Sequence, residues 1–347
     1  MAAKIRVLQA IGRLDIGGTE KALQVFSKYL DRARFEVAVC ARLKGGCRVD
    51  LLRNRGIPVI VGPVDLNDVV REHKIDICHV YRSGHYEPGS LPEKSGGWPK
   101  IVETSVFHDF DPIEGEKIDC HLFMSEFSKT CYLQRGSARD SAQHEVMYNP
   151  VDFEELLPRD RKYSYSIGRC SRADDAKWHK VCIDCLPKVF RKVPEARCVI
   201  QGIPDNMRER LDQLSLGERV QISEPNVNVQ EFYKKIDIFT HGARVGETFG
   251  SVIAEAMANK IPVVTLSTPR GKKSNAQVEL VEDGITGFTC RWSWQYANAV
   301  IELLKNHDLR ERFATQGYEK AREQFEASRL TRKLEGIYTS LMDGPHV

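Results

Sequence analysis

Two carboxylates eight residues apart, Glu247 and Glu255, bracket a Thr-Phe-Gly-Ser turn that leads into a run of small residues. Carboxylate oxygens accept hydrogen bonds from hydroxyl groups. The turn predicts a helix that starts near Phe249, where free backbone N–H groups favour a bound anion. Acceptors for hydroxyls beside donors for a phosphate are the chemistry that a sugar nucleotide requires.

Two apolar runs must position these carboxylates, residues 236–240 before the turn and residues 261–265 after it. Both runs predict buried parallel strands. The unit is therefore strand, loop, helix and strand. In such a unit the loop at the carboxyl end of the first strand faces the ligand crevice. Glu247 is predicted in that loop, and Glu255 more than a turn into the helix.

The composition limits the class of protein. A chain of 347 residues, 41% hydrophobic and 29% charged, is long enough for two domains. Apolar runs stay well short of the roughly 18 residues of a membrane-spanning helix, and no signal peptide is expected. Ten scattered cysteines fit reduced thiols in the cytoplasm, and a net charge of +3 is too small to indicate nucleic acid.

A glycine loop follows the first predicted strand, residues 5–11. Gly17 and Gly18 lie in it, and a helix is expected from Thr19. Such a loop can approach a phosphate, but a Gly-Gly pair is also an ordinary turn, and the spacing matches neither the dinucleotide fingerprint nor the P-loop. Alternating strands and helices predict a doubly wound parallel sheet. The further strand-like runs of this half are 36–41, 57–61, 75–80, 100–104 and 121–124.

Two other patterns leave a metal site open. Asp109 and Asp111 form an Asp-x-Asp pair of the kind that holds a divalent ion against a diphosphate. Cys182 and Cys185 form a Cys-x-x-Cys pair, which suits zinc when a second pair completes the site. The sequence contains no second motif for either ion. We therefore expect no bound metal, and the two thiols are expected to be reduced.

Residues 247–250, followed by 255–258 and 261–264, resemble the Glu-(seven residues)-Glu motif of retaining glycosyltransferases, and the setting is similar to that of glycosyltransferase family 4. The resemblance implies an α/β protein with the GT-B fold: two Rossmann-like, doubly wound parallel-sheet domains facing a cleft. An acceptor domain is expected at residues 1–155 and a nucleotide-sugar domain at 156–325. The helix within 326–347 is expected to pack either on the first domain or on its own.

The same resemblance implies roles for the residues of the motif. Glu255 would bind the ribose hydroxyls of the donor, and Glu247 the hydroxyls of the donor sugar. The backbone amides of Thr248, Phe249 and Gly250 would hold the diphosphate. These are expectations from the family and do not follow from the spacing alone.

Further roles come from other segments that resemble the family. Arg169 and Lys177 would clasp the leaving diphosphate, with Lys180 as the alternative second cation, because negative charge develops there as the glycosidic bond breaks. Both are predicted in the loop that follows a strand at 163–167. His108 resembles the histidine near the reacting sugar, although a histidine buried in a loop for structural reasons remains an alternative.

Gly17 and Gly18 resemble the first-loop glycines that approach the donor phosphates and the acceptor. Three features depart from the family pattern. Pro150 replaces a glycine at the domain crossing, residues 275–277 lack the usual glycine, and Lys260 stands where a helix usually ends in glycine. If Lys260 adopts the left-handed conformation it is strained, unless Asn259 takes that role.

The resemblance therefore implies a metal-independent, retaining glycosyltransferase without a cofactor. Its donor would be a nucleoside-diphosphate sugar, UDP- or GDP-linked, and its acceptor a hydroxyl of a glycan, lipid or small molecule. Membrane association is expected only through a lipid acceptor, and the protein is expected in the cytoplasm. Two alternatives stay open, a sugar-nucleotide epimerase of the same fold and a non-catalytic protein that binds a nucleotide sugar.

Overall fold

The computed structural model describes residues 3–135, 142–157, 162–268 and 274–343. The chain divides into two compact units. The first takes the residues up to Pro150 together with the C-terminal segment from Ala327, and the second takes Val151–Glu326. Each unit contains a parallel sheet. Runs of apolar, β-branched residues form such sheets because both faces are covered by helices.

In the described part of the first unit, a sheet of seven parallel strands has the order β3-β2-β1-β4-β5-β6-β7. The strands are β1 (Ile5–Arg13), β2 (Phe35–Lys44), β3 (Val59–Val61), β4 (Ile77–Arg82), β5 (Lys100–Ser105), β6 (Cys120–Phe123) and β7 (Gln143–Val146). The helices between them are α1 (Gly18–Tyr29), α2 (Arg48–Arg53), α3 (Leu66–Glu72) and α4 (Glu126–Gln134). The strand order reverses between β1 and β4, and ligands of such folds bind at the carboxyl ends of the strands near that point.

The C-terminal helix (Ala327–Asp343) packs on the first unit. Leu334 and Tyr338 are four residues apart, lie on one face of the helix and are fully buried in the core formed by β1, β4 and α1. The Tyr338 hydroxyl lies 2.6 Å from Nδ1 of His79 on β4. The remainder of the predicted C-terminal segment, residues 344–347, lies outside the described residues.

The second sheet has six parallel strands within the described residues, in the order β10-β9-β8-β11-β12-β13. They are β8 (Ser166–Cys170), β9 (Arg197–Gln201), β10 (Val220–Ser223), β11 (Ile238–Thr240), β12 (Val263–Leu266) and β13 (Gly287–Cys290). The shorter helices are α5 (Val181–Asp184), α6 (Leu186–Lys192), α7 (Asp205–Gln213), α8 (Gln230–Tyr233), α9 (Ser251–Ala258) and α10 (Gln277–Leu280). The long helices α11 (Ser293–Lys305) and α12 (His307–Phe325) follow, and no helix of the described residues is long and apolar enough to cross a membrane.

The strand predicted at 163–167 is β8, which begins at Ser166 and ends at Cys170. The prediction that Arg169 lies in a loop is therefore wrong. Arg169 is the fourth residue of β8. The chain before β8 is bent because Tyr165 has a left-handed backbone, with φ of 55°. The Asp237 carboxylate accepts hydrogen bonds from the N–H groups of Ser164 and Ser166, and this turn delays the strand.

Two further features bear on the sequence predictions: strand β7, and the left-handed residue that ends α9. Strand β7 was missed because its residues are mostly polar and only Val146 is buried, so no apolar pattern marks it. At the end of α9 the left-handed residue is Lys260, with φ of 54°, whereas Asn259 has φ of −85°. A lysine therefore carries the backbone strain that a glycine would avoid.

Candidate functional site

The loop between β11 and α9 is shaped by two glycines. Gly246 has φ of 75°, and a Cβ atom there would lie 1.8 Å from the carbonyl oxygen of Ser274. Gly250 has φ of 104° and immediately precedes α9. Only glycine adopts both conformations without strain, and no side chain fits at Gly246. The backbone therefore favours glycine at both positions, and Glu247 lies directly after the first of them.

Glu247 lies in a charged cluster at the carboxyl ends of β8 and β11. One of its carboxylate oxygens, Oε2, lies 2.6 Å from Nζ of Lys177, and the other, Oε1, lies 3.3 Å from Nε2 of His241. Burial alone would raise the pKa of Glu247, but the Lys177 ammonium and the His241 hydrogen bond outweigh it and hold that pKa well below its usual range. Glu247 is therefore an ionised acceptor of hydrogen bonds at neutral pH.

Lys177 ends a short 3₁₀ turn, Asp175–Lys177, in the loop after β8. The Asp174 carboxylate caps this turn by accepting the Ala176 N–H at 2.8 Å. The Ala176 carbonyl in turn accepts the N–H of Arg244, in the loop after β11, at 3.0 Å. The two loops are thus tied together through the backbone, which brings Lys177 to Glu247 although 70 residues separate them.

Arg169 has an environment that the sequence did not indicate. Its guanidinium donates to the carbonyl oxygens of Cys170, Lys177 and Gly242, and its central carbon lies 4.8 Å from the centre of the Trp178 ring. The whole side chain is buried. Arg169 therefore holds together the backbone of the loops that carry Lys177 and Glu247, and its hydrogen bonds go to protein carbonyls.

Glu255 lies on α9 and is buried. Its carboxylate accepts a hydrogen bond from the Tyr233 hydroxyl at 3.0 Å, and that hydroxyl also lies 2.9 Å from the Val252 carbonyl oxygen. Burial and the neighbouring Glu255 carboxylate raise the pKa of Tyr233 well above its usual value, so the hydroxyl keeps its proton. The second carboxylate of the motif is thereby held by an ordered donor.

The three residues that directly follow Glu247 differ in environment. Phe249 is buried, and its ring packs edge-on against Phe325 at the end of α12, with centroids 5.3 Å apart. Thr248 is also buried, and Gly250 is the residue before the first turn of α9. Helix α9 begins at Ser251, two residues after the start predicted near Phe249. Its free N–H groups therefore start with the residues that follow Gly250.

Residues 275–277, where the family glycine is missing, support Glu247 directly. The Gln277 side-chain oxygen accepts the Glu247 N–H at 3.0 Å, and its amide nitrogen donates to the Leu266 carbonyl at 3.0 Å. The Ala276 N–H donates to the Glu247 carbonyl at 2.8 Å. Gln277 is fully buried. This segment therefore fixes the main chain of Glu247 from both sides.

The predicted site residues of the first unit lie in the loops after β1 and β5. Gly17 has an extended backbone, and its carbonyl accepts the N–H of Lys21, which makes Gly18 the first residue of α1. His108 is buried and has φ of 49°, a left-handed conformation that is uncommon outside glycine. Its ring lies edge-on to Phe127, with centroids 5.9 Å apart.

The two candidate metal patterns are engaged within the protein. Asp109 pairs with Arg135 at 2.6 Å, and Asp111 pairs with Arg82 at 2.9 Å and accepts two backbone N–H groups. The thiols of the Cys-x-x-Cys pair, residues 182 and 185, are buried and lie 3.6–3.9 Å from backbone carbonyls. Over the described ranges, no three potential ligands are grouped as a metal ion requires.

The structure thus brings Glu247 and Lys177 into direct contact, and Arg169 donates a hydrogen bond to the Lys177 carbonyl. Sequence reasoning missed His241, which follows the last residue of β11, and Gln277. The available signal for His241 was its position, since a polar residue that directly follows a buried strand lies at the ligand edge of a parallel sheet. No sequence motif marks Gln277, and its hydrogen bonds to the Leu266 carbonyl and the Glu247 N–H span 11 and 30 residues of the chain.

Comparison with solved structures shows the class of fold. A structure of the Anabaena protein HepE in complex with UDP and glucose is similar over 97% of this chain and all of that chain, with a TM-score of 0.76 at 20% sequence identity. Sucrose-phosphate synthase from Thermosynechococcus elongatus is similar over 98% of this chain and 99% of its own, with a TM-score of 0.75 at 15% identity. The chain has the fold of these proteins, the GT-B fold.

Sequence comparison then gives the family. Residues 150–320, which contain all of β8–β13, match the model described as "Glycosyl transferases group 1". This segment, about half of the chain, belongs to that family. A phosphatidyl-myo-inositol mannosyltransferase from Mycobacterium leprae is 27% identical over 70% of this chain, and an N-acetyl-alpha-D-glucosaminyl L-malate synthase from Bacillus anthracis is 29% identical over 57%. The aligned stretches span 65% and 54% of those two relatives.

Proposed function

We propose that the protein is a retaining glycosyltransferase that moves a sugar from a nucleoside-diphosphate sugar to a hydroxyl acceptor without a metal ion. The observation that carries the proposal is the contact between Lys177 and Glu247 at the carboxyl ends of β8 and β11. A cation for a diphosphate and an ionised carboxylate for hydroxyls stand side by side there. They do so in a domain of a family whose relatives include a mannosyltransferase.

The charge state of Glu247 sets the kind of chemistry it performs. With its pKa held low by Lys177 and His241, the carboxylate is ionised at neutral pH and has no proton to give. It is therefore suited to accept hydrogen bonds from the donor sugar and unsuited to act as a general acid. We assign Glu247 to the sugar hydroxyls and Glu255, with its partner Tyr233, to the ribose hydroxyls.

The diphosphate is assigned to Lys177 and to the N–H groups at the start of α9. Lys177 lies in a loop and its side chain is partly exposed, so its ammonium group can turn from Glu247 to a phosphate oxygen. Arg169 supports this site by holding the carbonyl of Lys177 itself. We therefore assign Arg169 to positioning the loop rather than to contact with the diphosphate.

The reaction proposed here needs no enzyme nucleophile. The bond between the anomeric carbon and the phosphate oxygen breaks as the acceptor oxygen approaches from the same face, and a new carbon–oxygen bond forms there. The acceptor proton passes to the departing phosphate oxygen. The products are the glycoside with retained configuration and the nucleoside diphosphate. The developing negative charge on the diphosphate is stabilised by Lys177 and the helix N-terminus.

The first unit is proposed to supply the acceptor side of the reaction. Gly17, Gly18 and His108 are assigned to contacts with the donor phosphates, the acceptor and the reacting sugar, on the strength of the family resemblance. The acceptor is proposed to be a glycan, a lipid or a small molecule. We propose no cofactor and no nucleic-acid partner, a cytoplasmic location, and membrane association only through a lipid acceptor.

The proposal is tested by thermal unfolding with UDP, GDP, ADP, CMP and their common sugars, each with and without a chelator. UDP is the first ligand to test because the HepE structures contain UDP, UDP with glucose, or UDP-glucose. Saturating ligand should raise the free energy of unfolding by about 3–4 kcal/mol at 100–1,000 times its Kd. A shift that survives the chelator supports the metal-independent site. A shift that disappears with the chelator contradicts it and directs attention to Asp109 and Asp111.

Product analysis separates the proposed transfer from the two alternatives. Incubation of the bound nucleotide sugar with candidate acceptors should release nucleoside diphosphate and form a glycoside with the configuration of the donor. A change in the sugar without an acceptor would indicate an epimerase. Binding without any turnover, including hydrolysis of the donor, would indicate a non-catalytic protein.

A further inference from the structure

His241 is a fully buried histidine whose two ring nitrogens both have partners. It follows the last residue of β11, and its own N–H donates to the Val264 carbonyl on β12 at 2.8 Å. Nδ1 lies 2.9 Å from the hydroxyl oxygen of Thr265, and Nε2 lies 3.3 Å from Oε1 of Glu247. The ring thus bridges a buried hydroxyl on β12 and the carboxylate of the candidate site.

The chemistry of these partners fixes the proton on the ring. Burial lowers the pKa of His241, while the Glu247 hydrogen bond opposes that shift and the positive charge of Arg169 reinforces it. A neutral imidazole carries one N–H, and an ionised carboxylate can only accept. The proton therefore resides on Nε2, which donates to Glu247, and Nδ1 accepts from the Thr265 hydroxyl. The Glu247 carboxylate thus selects the tautomer, and the buried Thr265 hydroxyl, which can donate, satisfies Nδ1.

The two carboxylate oxygens of Glu247 consequently differ. Oε1 is bound by His241, which is fully buried and hydrogen-bonded to β12 through its ring and its backbone N–H. Oε2 is bound by Lys177, whose side chain is partly exposed to solvent. The main chain of Glu247 is fixed separately by Gln277. Only the partner of Oε2 can be exchanged when a ligand arrives.

We propose that His241 is a positioning residue for sugar recognition: its Nε2–H holds Oε1 of Glu247 so that Oε2 is presented to a hydroxyl of the donor sugar. On donor binding, Lys177 moves to the diphosphate and the sugar hydroxyl takes its place on Oε2. This inference rests on the proposed function. It predicts that His241 contributes to the affinity gained from the sugar, and little to the affinity for the nucleoside diphosphate.

The test compares Kd for UDP and for UDP-glucose by calorimetry, or for GDP and GDP-mannose if the wild-type protein binds that pair. The ratio is Kd for the nucleoside diphosphate divided by Kd for the nucleotide sugar. In His241→Phe this ratio should fall about tenfold, the loss expected when a charge-assisted hydrogen bond is removed. Kd for the nucleoside diphosphate alone should stay within about threefold, since a phenyl ring fills the same space. The rate of donor hydrolysis should fall with the ratio.

Two further variants separate positioning from packing. His241→Gln places an amide N–H near the Nε2 position and should restore most of the ratio. Thr265→Val removes only the hydroxyl that donates to Nδ1 and orients the ring, and it should lower the ratio in the same direction by a smaller factor. These variants also decide the question if His241→Phe does not fold.

The matched control is His79→Phe in the first unit. His79 is also fully buried and has two side-chain partners, Tyr338 at 2.6 Å and Thr104 at 2.8 Å. Its replacement should destabilise the protein and leave the ratio unchanged. The inference is overturned if His241→Phe, or Thr265→Val in its place, binds both ligands and hydrolyses the donor as the wild type does. Failure of the wild-type protein to bind any nucleotide sugar would instead overturn the proposed function, and the inference with it.

Discussion

Both units hold a cluster of charged side chains at the carboxyl ends of their parallel strands, and the two clusters differ in how they are enclosed. In the first unit, Arg82 at the end of β4 pairs with Glu103 and with Asp111, and all three side chains are at most 2% exposed. In the second unit, the side chains of Lys177 and Glu247 are 25% and 9% exposed. The cluster of the first unit is therefore closed to solvent, whereas the cluster of the second unit contains a partly exposed cation.

The difference predicts that the first cluster contributes to stability and the second to ligand binding. The charge of a buried guanidinium that contacts two carboxylates is paired within the protein. Removing one partner is costly because the remaining charges stay buried without compensation. An ion pair with one partly exposed partner is worth much less to the fold. Its cation can therefore be exchanged for a ligand at small cost. Changes in the first cluster should affect stability, and changes in the second should affect ligand binding and turnover.

The largest expected effect is in the closed cluster. Arg82→Met leaves the carboxylates of Glu103 and Asp111 buried without their cation, and should lower the free energy of unfolding by about 3–5 kcal/mol. Hydrogen exchange in β4 and β5 measures this loss. The control is Arg135→Met, because the Arg135–Asp109 pair is largely exposed and its loss should cost less than about 1 kcal/mol. Equal effects of the two variants would contradict the comparison.

Glu247→Gln should have the largest effect on turnover. The amide keeps the size of the side chain but loses the charge that accepts sugar hydroxyls, and kcat/KM for the donor should fall roughly 10²–10³-fold, equivalent to about 3–4 kcal/mol. The melting temperature should change little. Glu103→Gln is the control from the closed cluster, and it should lower stability without changing donor affinity. Unchanged turnover in folded Glu247→Gln would show that the site is assigned to the wrong carboxylate.

Lys177→Met tests the partly exposed cation of the cluster in the second unit. Loss of its charge should weaken binding of the nucleoside diphosphate about 10–30-fold, because a charge-assisted contact with a phosphate oxygen is removed. Calorimetry with UDP or GDP measures this change. Lys180→Met is the matched control three residues away, expected to bind as the wild type does. If Lys180→Met loses affinity and Lys177→Met does not, the diphosphate role moves to Lys180.

The first unit should also carry a dependence on pH through His79. Burial lowers the pKa of His79 to about 3. Below the unfolded-state pKa of about 6.5, the unfolded chain takes up a proton that the folded protein does not. The free energy of unfolding should therefore decrease as the pH is lowered from about 6.5 to 3. This residue contributes a decrease of up to about 1.4 kcal/mol per pH unit. Urea unfolding at several pH values should show a shallower dependence for His79→Gln, and an identical slope would exclude His79 as the cause.

The smallest expected effect changes the stability of the second unit without touching its charged cluster. Lys260 has a left-handed backbone, and its ammonium lies 4.8 Å from the centre of the Tyr318 ring. Lys260→Ala removes the ring contact and keeps the strain, whereas Lys260→Gly removes both. Lys260→Gly should therefore be more stable than Lys260→Ala by about 1 kcal/mol. Thermal unfolding measures the difference, and donor affinity should be equal in the two variants.

Much of the fold was predictable because its signals are local. Apolar runs alternating with helical segments indicated parallel sheets, and the glycines at positions 246 and 250 indicated a turn before a helix. Edge strand β7 was not predictable, since a polar strand lacks the apolar pattern on which the prediction depends. The start of β8 was misplaced because a side chain 71 residues away, Asp237, bends the preceding chain.

The sequence by itself determined the class of fold, the family and the loop that carries Glu247, because spacing, glycine positions and strand composition are properties of the chain alone. Only the tertiary structure decided what each polar side chain contacts. It directed Arg169 to backbone carbonyls, joined Glu247 to Lys177 and His241, and set Gln277 against the Glu247 N–H. The physical reason is that parallel neighbours such as β8, β11 and β12 are far apart in sequence. The partners at their carboxyl ends are therefore chosen by strand order and register.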